Sequence, residues 1–557
     1  METLTPDVTP SSANEVSPTP RRVLLVVRVL CLVVLAAAMV RLAWIGDDAL
    51  ITLRNALNIA HGWGPGYNFT ESVQGYTHPA WFLLWLASGW LTGEWILTIV
   101  VISVVLSVAA VAIVLWSARS IALILVAAVA LGFSNAFMEY TTSGLENPLA
   151  YLMVGALVVA TFRLLAQGEV PSLRSAIVVG LLASGLVLTR FDLLLLIVPL
   201  LGWLAVRLRR QGSRLLALGV ALAVPVMLWC TWSWLAYSSI LPNTFLAKRN
   251  LEIPAVELVV QGLRYGWVTI EHDPVTGLVL VVGLVLCFAF GRPVHRALAA
   301  GVVLYLAYVT WIGGDFMAGR FYAVPVYLLV LLSITVPVVA HSALARPRAS
   351  SIVSVLVGFI AVLLVLVAAD RVPSAIANPT STRWREMDDA AAIYDARSKF
   401  IELDKGLEQW AMSLGASISV PPYPDAASTN LLAPLRDIRS AANNWPDRAS
   451  TSLPHGTWPN PDGSFSDLPS DVGVLCGLLG TAGIISGPTV HWIDRCALTD
   501  RYLAAIPYAA HDFHWYVGHY ERALPPGYEA AVRTGDPGGV TDPLEAARLK
   551  ELWEQIR

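Results

Sequence analysis

Charge is scarce in this chain. Asp, Glu, Lys and Arg make up 14% of its 557 residues, against 56% hydrophobic ones, a balance that a wholly soluble domain rarely has. The net charge of −3 provides no basic face and argues against a nucleic-acid partner. Cysteine is sparse as well. Cys31, Cys230 and Cys287 lie in apolar runs and read as packing residues, which leaves Cys476 and Cys496 in polar sequence near the C-terminus. There is no CxxC or Cys/His metal spacing of the kind that holds zinc. Walker, HExxH and GxSxG motifs are missing too, so nucleotide-driven transport and metal hydrolysis lack support.

Long apolar runs are abundant. They centre on residues 22–45, 79–92, 95–117, 120–133, 146–166, 175–189, 192–206, 215–237, 276–290, 296–312, 322–341 and 351–369. The expected fold is a polytopic α-helical membrane protein over 21–370, embedded in a lipid bilayer. Residues 1–20, rich in Pro, Ser and Thr, read as a disordered cytoplasmic tail. The positive-inside rule puts Arg21, Arg22 and Arg28 in the cytoplasm, with Arg207, Arg209, Arg210 and Arg214 marking a later cytoplasmic loop. Loops 46–78, 238–275 and 313–320 then fall outside, as does everything after Asp370. Twelve crossings would return the C-terminus to the cytoplasm. The short run 120–133 is therefore expected not to cross, leaving about eleven spans in a multi-pass protein of the plasma membrane.

Residues 371–557 suffice for one soluble, mixed α/β domain on the periplasmic side. A helix is expected at about 385–413, loops over 417–470, strands within Val472–Leu479 and Thr489–Ile493, and a terminal helix Pro543–Ile556 capped by Asp542. In an oxidising compartment Cys476 and Cys496 are a natural disulfide pair.

Polar residues interrupt the apolar sequence at few places. Asp47-Asp48 follows the first run directly. A carboxylate pair at the membrane boundary can act on a substrate with its reactive head at the lipid surface and its tail in the lipid. Glycosyl transfer from a lipid phosphate needs a base near the acceptor hydroxyl and positive charge near the leaving phosphate. The loop that follows holds sugar-type contacts, among them Trp63, Tyr76 and His78, although Trp and Tyr also anchor membrane boundaries. Lys248 and Arg249 lie outside, against the usual bias. They fit a phosphate partner or lipid headgroups. Asp315 and Arg320 flank a glycine-bearing turn and serve either function or each other. Glu146 opens a helix, where the dipole favours it. Arg190 and Asp192 sit near membrane depth, where charges are paired or functional.

Taken in order, Trp44-Ile45-Gly46-Asp47-Asp48-Ala49, Thr142-Ser143-Gly144-Leu145-Glu146-Asn147, Pro242-Asn243-Thr244 with Lys248, and Gly313-Gly314-Asp315-Phe316-Met317-Ala318-Gly319-Arg320 resemble the GT-C membrane glycosyltransferases of actinobacteria. The nearest resemblance is to the terminal β-(1→2)-arabinofuranosyltransferases of the mycobacterial cell wall. Ile493–Asp500 and Val517–Tyr528 also look like that family. The resemblance implies a pentosyltransferase whose donor is decaprenyl-phosphoryl-D-arabinofuranose and whose acceptor is the arabinan of arabinogalactan or lipoarabinomannan. It implies Asp47 as the catalytic carboxylate with Asp48 beside it. Lys248, Arg249 and Arg320 would hold the donor phosphate. Arg54, Trp63, Tyr76, His78, Glu146, Arg190, Asp192 and Asp315 would contact substrate. No cofactor is implied with certainty, and a divalent cation stays open. Other readings are a glycosyltransferase acting on another surface glycan or a protein, and a non-enzymatic transporter of lipid-linked sugar.

Overall fold

The computed structural model describes residues 21–168, 170–249, 251–336, 393–394, 435–453, 455–459, 465–508 and 517–556. The first part is a helical bundle. Its helices are α1 (Arg21–Arg41), α2 (Asp47–Ala60), α3 (Pro79–Thr92), α4 (Ile96–Ser117), α5 (Ile121–Phe133), α6 (Asn135–Met138), α7 (Asn147–Ala166) and α8 (Leu173–Thr189). There follow α9 (Leu193–Leu208), α10 (Gly212–Tyr237), α11 (Asn243–Arg249), α12 (Ala255–His272), α13 (Pro274–Phe290), α14 (Pro293–Trp311) and α15 (Ala323–Thr335).

Five of these, α1, α4, α7, α10 and α14, are long and apolar enough to cross a membrane. The bent pairs α5–α6 (74°) and α12–α13 (109°) raise the number to seven if each counts as one span. The chain is thus a multi-pass helical membrane protein. Its outward faces carry exposed Leu30, Val34, Trp90 and Leu235, apolar surface that water would not tolerate at this extent but lipid does. The one cation inside α1 shows the same solvent rule. Arg28 donates to the Leu115 and Ala118 carbonyls at 3.1 and 2.7 Å, closing the polar end of α4. The expected run 120–133 is the arm of α5 that breaks at Ser134, and the expected span 351–369 lies outside the described residues.

Two expectations need correction. Residues 46–78 are not all loop, because α2 occupies 47–60. Its Leu50, Leu53, Ala56 and Leu57 recur at helical spacing and are buried. The interleaved Arg54, Asn55 and Asn58 made the segment read as loop, yet they too are buried. Loop 238–275 likewise holds α11 and the amphipathic α12.

The C-terminal part contains α16 (Leu435–Asn443), β1 (His455–Pro459), β2 (Phe465–Asp467), β3 (Asp471–Leu475), α17 (Leu479–Ile485), β4 (Val490–Asp494), α18 (Arg501–Ala505), α19 (Tyr528–Thr534) and α20 (Pro543–Ile556). α16 and the antiparallel pair β1–β2 replace part of the loop expected over 417–470, of which 417–434 lies outside the described residues. β3 and β4 pair in parallel, Asp471 opposite Val490 and Leu475 opposite Asp494. A parallel pair needs a crossover, and α17 provides it. A disulfide joins Cys476 to Cys496, with the Cα atoms 5.0 Å apart, just past the ends of the two strands. Of the helix expected at 385–413, Ile393 and Tyr394 alone are described, and Tyr394 bridges to Met317. Asp542 caps α20, its carboxylate accepting from the Leu544 N–H at 2.8 Å.

Candidate active site

Charged side chains gather at one end of the bundle, each delivered by a helix terminus or a short turn. Asp47 and Asp48 form the first turn of α2, Glu146 precedes α7 and Asp192 precedes α9. Carboxylates favour these positions because the helix N-terminus carries partial positive charge. Arg190 ends α8, and Arg320 opens the turn before α15.

Arg320 is the hub. Its guanidinium lies 3.4 Å from Asp315, 3.5 Å from Asp48 and 3.7 Å from Glu146. Arg190 donates to Asp192 through Nε at 2.9 Å and reaches Glu146 at 3.3 Å. The hydroxyl of Tyr305 donates to Asp192 at 3.4 Å. His78 touches Glu146 through Nδ1 at 3.3 Å and Thr52 through Nε2 at 2.8 Å. Glu146 is fully enclosed, whereas Asp48 is 25% exposed and Arg320 13%, so solvent enters from the Asp48 side.

The field follows from this packing. Burial opposes charge on Glu146, but Arg320, His78 and Arg190 outweigh it and hold the carboxyl at about 2. Burial pushes His78 down to about 4, against the pull of Glu146, so the ring is neutral near pH 7. Burial raises Asp315, with Arg320 and Lys248 opposing. Burial lowers Lys248, with Asp315 and Asp48 opposing. Solvent nevertheless reaches Lys248. Its Nζ lies beside Gly518, whose φ of +86° leaves the backbone open toward it; a Cβ there would come within 3.1 Å of Nζ.

Unused hydrogen-bonding capacity is found here, as in other buried parts of the protein. Among the described residues, Nε of Arg320, Oε2 of Glu146 and the Thr244 hydroxyl are buried without a hydrogen-bond partner. Such groups are rare in native proteins and ask for an explanation. A polar ligand is one.

Other expected site residues are placed elsewhere. Asp47 turns from the cluster into the C-terminal part. Its carboxylate accepts from the Gly480 N–H (2.9 Å), the Thr481 N–H (2.7 Å) and the Thr481 hydroxyl (2.7 Å). Burial pushes its carboxyl up to about 6 against these donors. Arg54 is wholly buried and donates to the carbonyls of Tyr67 and Val490, each at 2.8 Å, and of Gly483. Trp63 donates to the Pro446 carbonyl at 2.6 Å. Tyr76 bonds the Tyr237 hydroxyl at 2.9 Å and stacks on Phe82. The polar groups of these three residues are engaged inside the protein, away from the charged cluster. Arg249 is exposed at the end of α11.

Sequence reasoning missed Thr52, inside the polar-interleaved α2, and Tyr305, inside the apolar α14. It also missed Thr481, Asn243 as a clamp, and Arg522, whose partners are hundreds of residues away. Among the described residues no three His, Cys, Asp or Glu side chains converge as a metal-holding group, so the divalent cation left open receives no site.

Fold and site together define a multi-pass membrane protein with a charged, partly solvent-exposed cluster at one end of its bundle. Over 330 residues the chain is 28% identical to the terminal beta-(1->2)-arabinofuranosyltransferase of Mycobacterium tuberculosis (strain ATCC 25618 / H37Rv). The aligned stretch covers 52% of this chain and 51% of that protein; the chain thus spans about half the length of the curated relative it matches. No protein-family model matches the chain.

Proposed function

We propose that this protein transfers D-arabinofuranose from decaprenyl-phosphoryl-arabinofuranose to cell-wall arabinan, forming terminal β-(1→2) linkages, with the charged cluster on the periplasmic side of the plasma membrane. The similarity to a glycosyltransferase supports sugar transfer. The observation that carries the reading is Lys248, which makes no hydrogen bond or ion pair among the described residues yet stands in the field of Asp48 and Asp315. An ammonium so placed is ready to pair with the leaving phosphate.

In this reading Asp48 is the base that takes the acceptor hydroxyl's proton. Asp47 is its anchor. Arg320 holds Asp48, Glu146 and Asp315 in one frame, and neutral His78 packs behind Glu146 against Thr52. A β-linked donor that yields a β-linked product requires net retention, which a single displacement with Asp48 acting only as base does not give. Front-face attack, or a covalent step with a carboxylate as nucleophile, does.

The test is a reconstitution. Purified protein is given labelled lipid-linked arabinose and a synthetic arabinan acceptor, and the product linkage is read by NMR. A new β-(1→2) arabinofuranosyl unit is expected. Intact donor with no transfer, in folded protein, rejects the proposal.

A further inference from the structure

The Cys476–Cys496 ring meets the start of α2, and the chain just past it meets α11. Inside the ring, Gly480 and Thr481 hold the carboxylate of Asp47, the residue next to Asp48. Approach is close enough that a Cβ on Gly480 would collide with the Asp47 carbonyl oxygen. Directly after the ring, the chain carbonyls turn to α11. The Asn243 amide donates to the carbonyls of Ala497 at 2.9 Å, Asp500 at 3.0 Å and Leu498 at 3.3 Å. Arg522 closes the frame. It reaches the Cys496 carbonyl at 3.4 Å and donates to the carbonyl of Ala247 at 2.8 Å, one residue before Lys248.

Asp48 and Lys248 thus stand on separate helices, α2 and α11; the small covalent ring grips Asp47, beside Asp48, and Arg522, which reaches the ring's Cys496 carbonyl, grips Ala247, beside Lys248. We propose that the ring closed by Cys476–Cys496 is a brace that sets the position of Asp48 relative to Lys248, with Thr481, Asn243 and Arg522 as positioning residues for the transfer reaction. None of the three touches the reacting atoms. They act through Asp47 and through the backbone of α11.

The physical basis is rigidity. The ring is tied at the ends of two paired strands. Asp494 stiffens its exit, accepting from the N–H groups of Cys496 and Thr499, each at 2.9 Å. Without the disulfide, the stretch from Gly480 to Asp500 loses its covalent closure and keeps the β3–β4 pairing. A misplacement of about 1 Å between reacting groups costs on the order of 100-fold in rate.

The inference rests on the function proposed above, and its test separates the two. Three full-length proteins are compared with the parent: Cys476→Ser/Cys496→Ser, Thr481→Val and Asn243→Ala. Hydrogen exchange is measured over the peptides containing Asp47–Leu53 and Asn243–Lys248, alongside donor KM and kcat. Faster exchange is expected in both peptides for the cysteine pair, in the first for Thr481→Val and in the second for Asn243→Ala. The expected fall in kcat is about 10- to 100-fold with donor KM within about 3-fold, and Thr481→Ser should recover the parent's kcat. Should the cysteine pair not fold, Thr481→Val and Thr481→Ser carry the comparison, since the backbone bonds to Asp47 survive in both. Unchanged exchange over both peptides, with unchanged kcat, overturns the brace even in a protein that transfers arabinose. Faster exchange in the variants, beside a parent protein that transfers nothing, supports the brace and rejects the proposed function.

Discussion

At the scale of single residues, the charged cluster separates two neighbours that look alike in sequence. Asp48 faces Arg320 and solvent, and Asp47 faces backbone N–H groups of the C-terminal part. Asp48→Asn should therefore lower transfer by about 10²- to 10⁴-fold, the usual worth of a general base, in protein that melts normally. Normal turnover of that variant would remove Asp48 from the chemistry. Lys248→Met should weaken donor binding by on the order of 1.5–3 kcal/mol, the worth of a charge-assisted contact, as measured by titration with decaprenyl phosphate; unchanged affinity would reject the phosphate contact. Glu146 gives a pH dependence. Its carboxyl is held at about 2, below the ordinary carboxyl range, so its charge contributes stability that is fully present above about pH 4.5 and is lost as pH falls toward 2. The gap in melting temperature between the parent and Glu146→Gln should narrow across that window, and a gap independent of pH would contradict the ion cluster.

At the scale of elements, α2 is the seam between the bundle and the C-terminal part. Arg54 on its buried face ties three carbonyls together. Arg54→Met leaves those acceptors unpaired and should cost at least about 3 kcal/mol, visible as a lowered melting temperature. Equal stability would show that water replaces the guanidinium at no cost. The same seam explains why segment 46–78 resisted reading as a helix. Polar side chains on a buried helix face look solvated in one dimension, because their partners at 483 and 490 belong to another part of the chain. The terminal helix was legible to the residue, since Pro543 and Asp542 mark its start by local chemistry.

At the scale of the whole molecule, the arginine pattern orients the bundle. The charged cluster and the C-terminal part are expected on the outer face, with Arg207–Arg214 on the inner one. A membrane-impermeant thiol reagent applied to intact cells should label Ser450→Cys and spare Ser213→Cys, each made in a chain without Cys31, Cys230 and Cys287. The reverse pattern would invert the topology and place the cluster away from a periplasmic acceptor.

Membrane class, the approximate positions of the apolar helices and the stations of most charges were determined by the sequence alone. The reason is energetic: a charge cannot remain at random in an apolar run, so Asp48, Glu146, Arg190, Asp192, Asp315 and Arg320 had to fall at helix ends or turns. That they meet at one end of the bundle, and not at two, was decided by the tertiary structure. So was which of Asp47 and Asp48 faces the charged cluster, because one step along a helix turns a side chain by about 100° and only packing says which direction holds protein. Thr481 and Arg522 entered the site's surroundings by the same route. Their roles come from hydrogen bonds across 434 and 275 residues of chain, a distance over which local sequence carries no information.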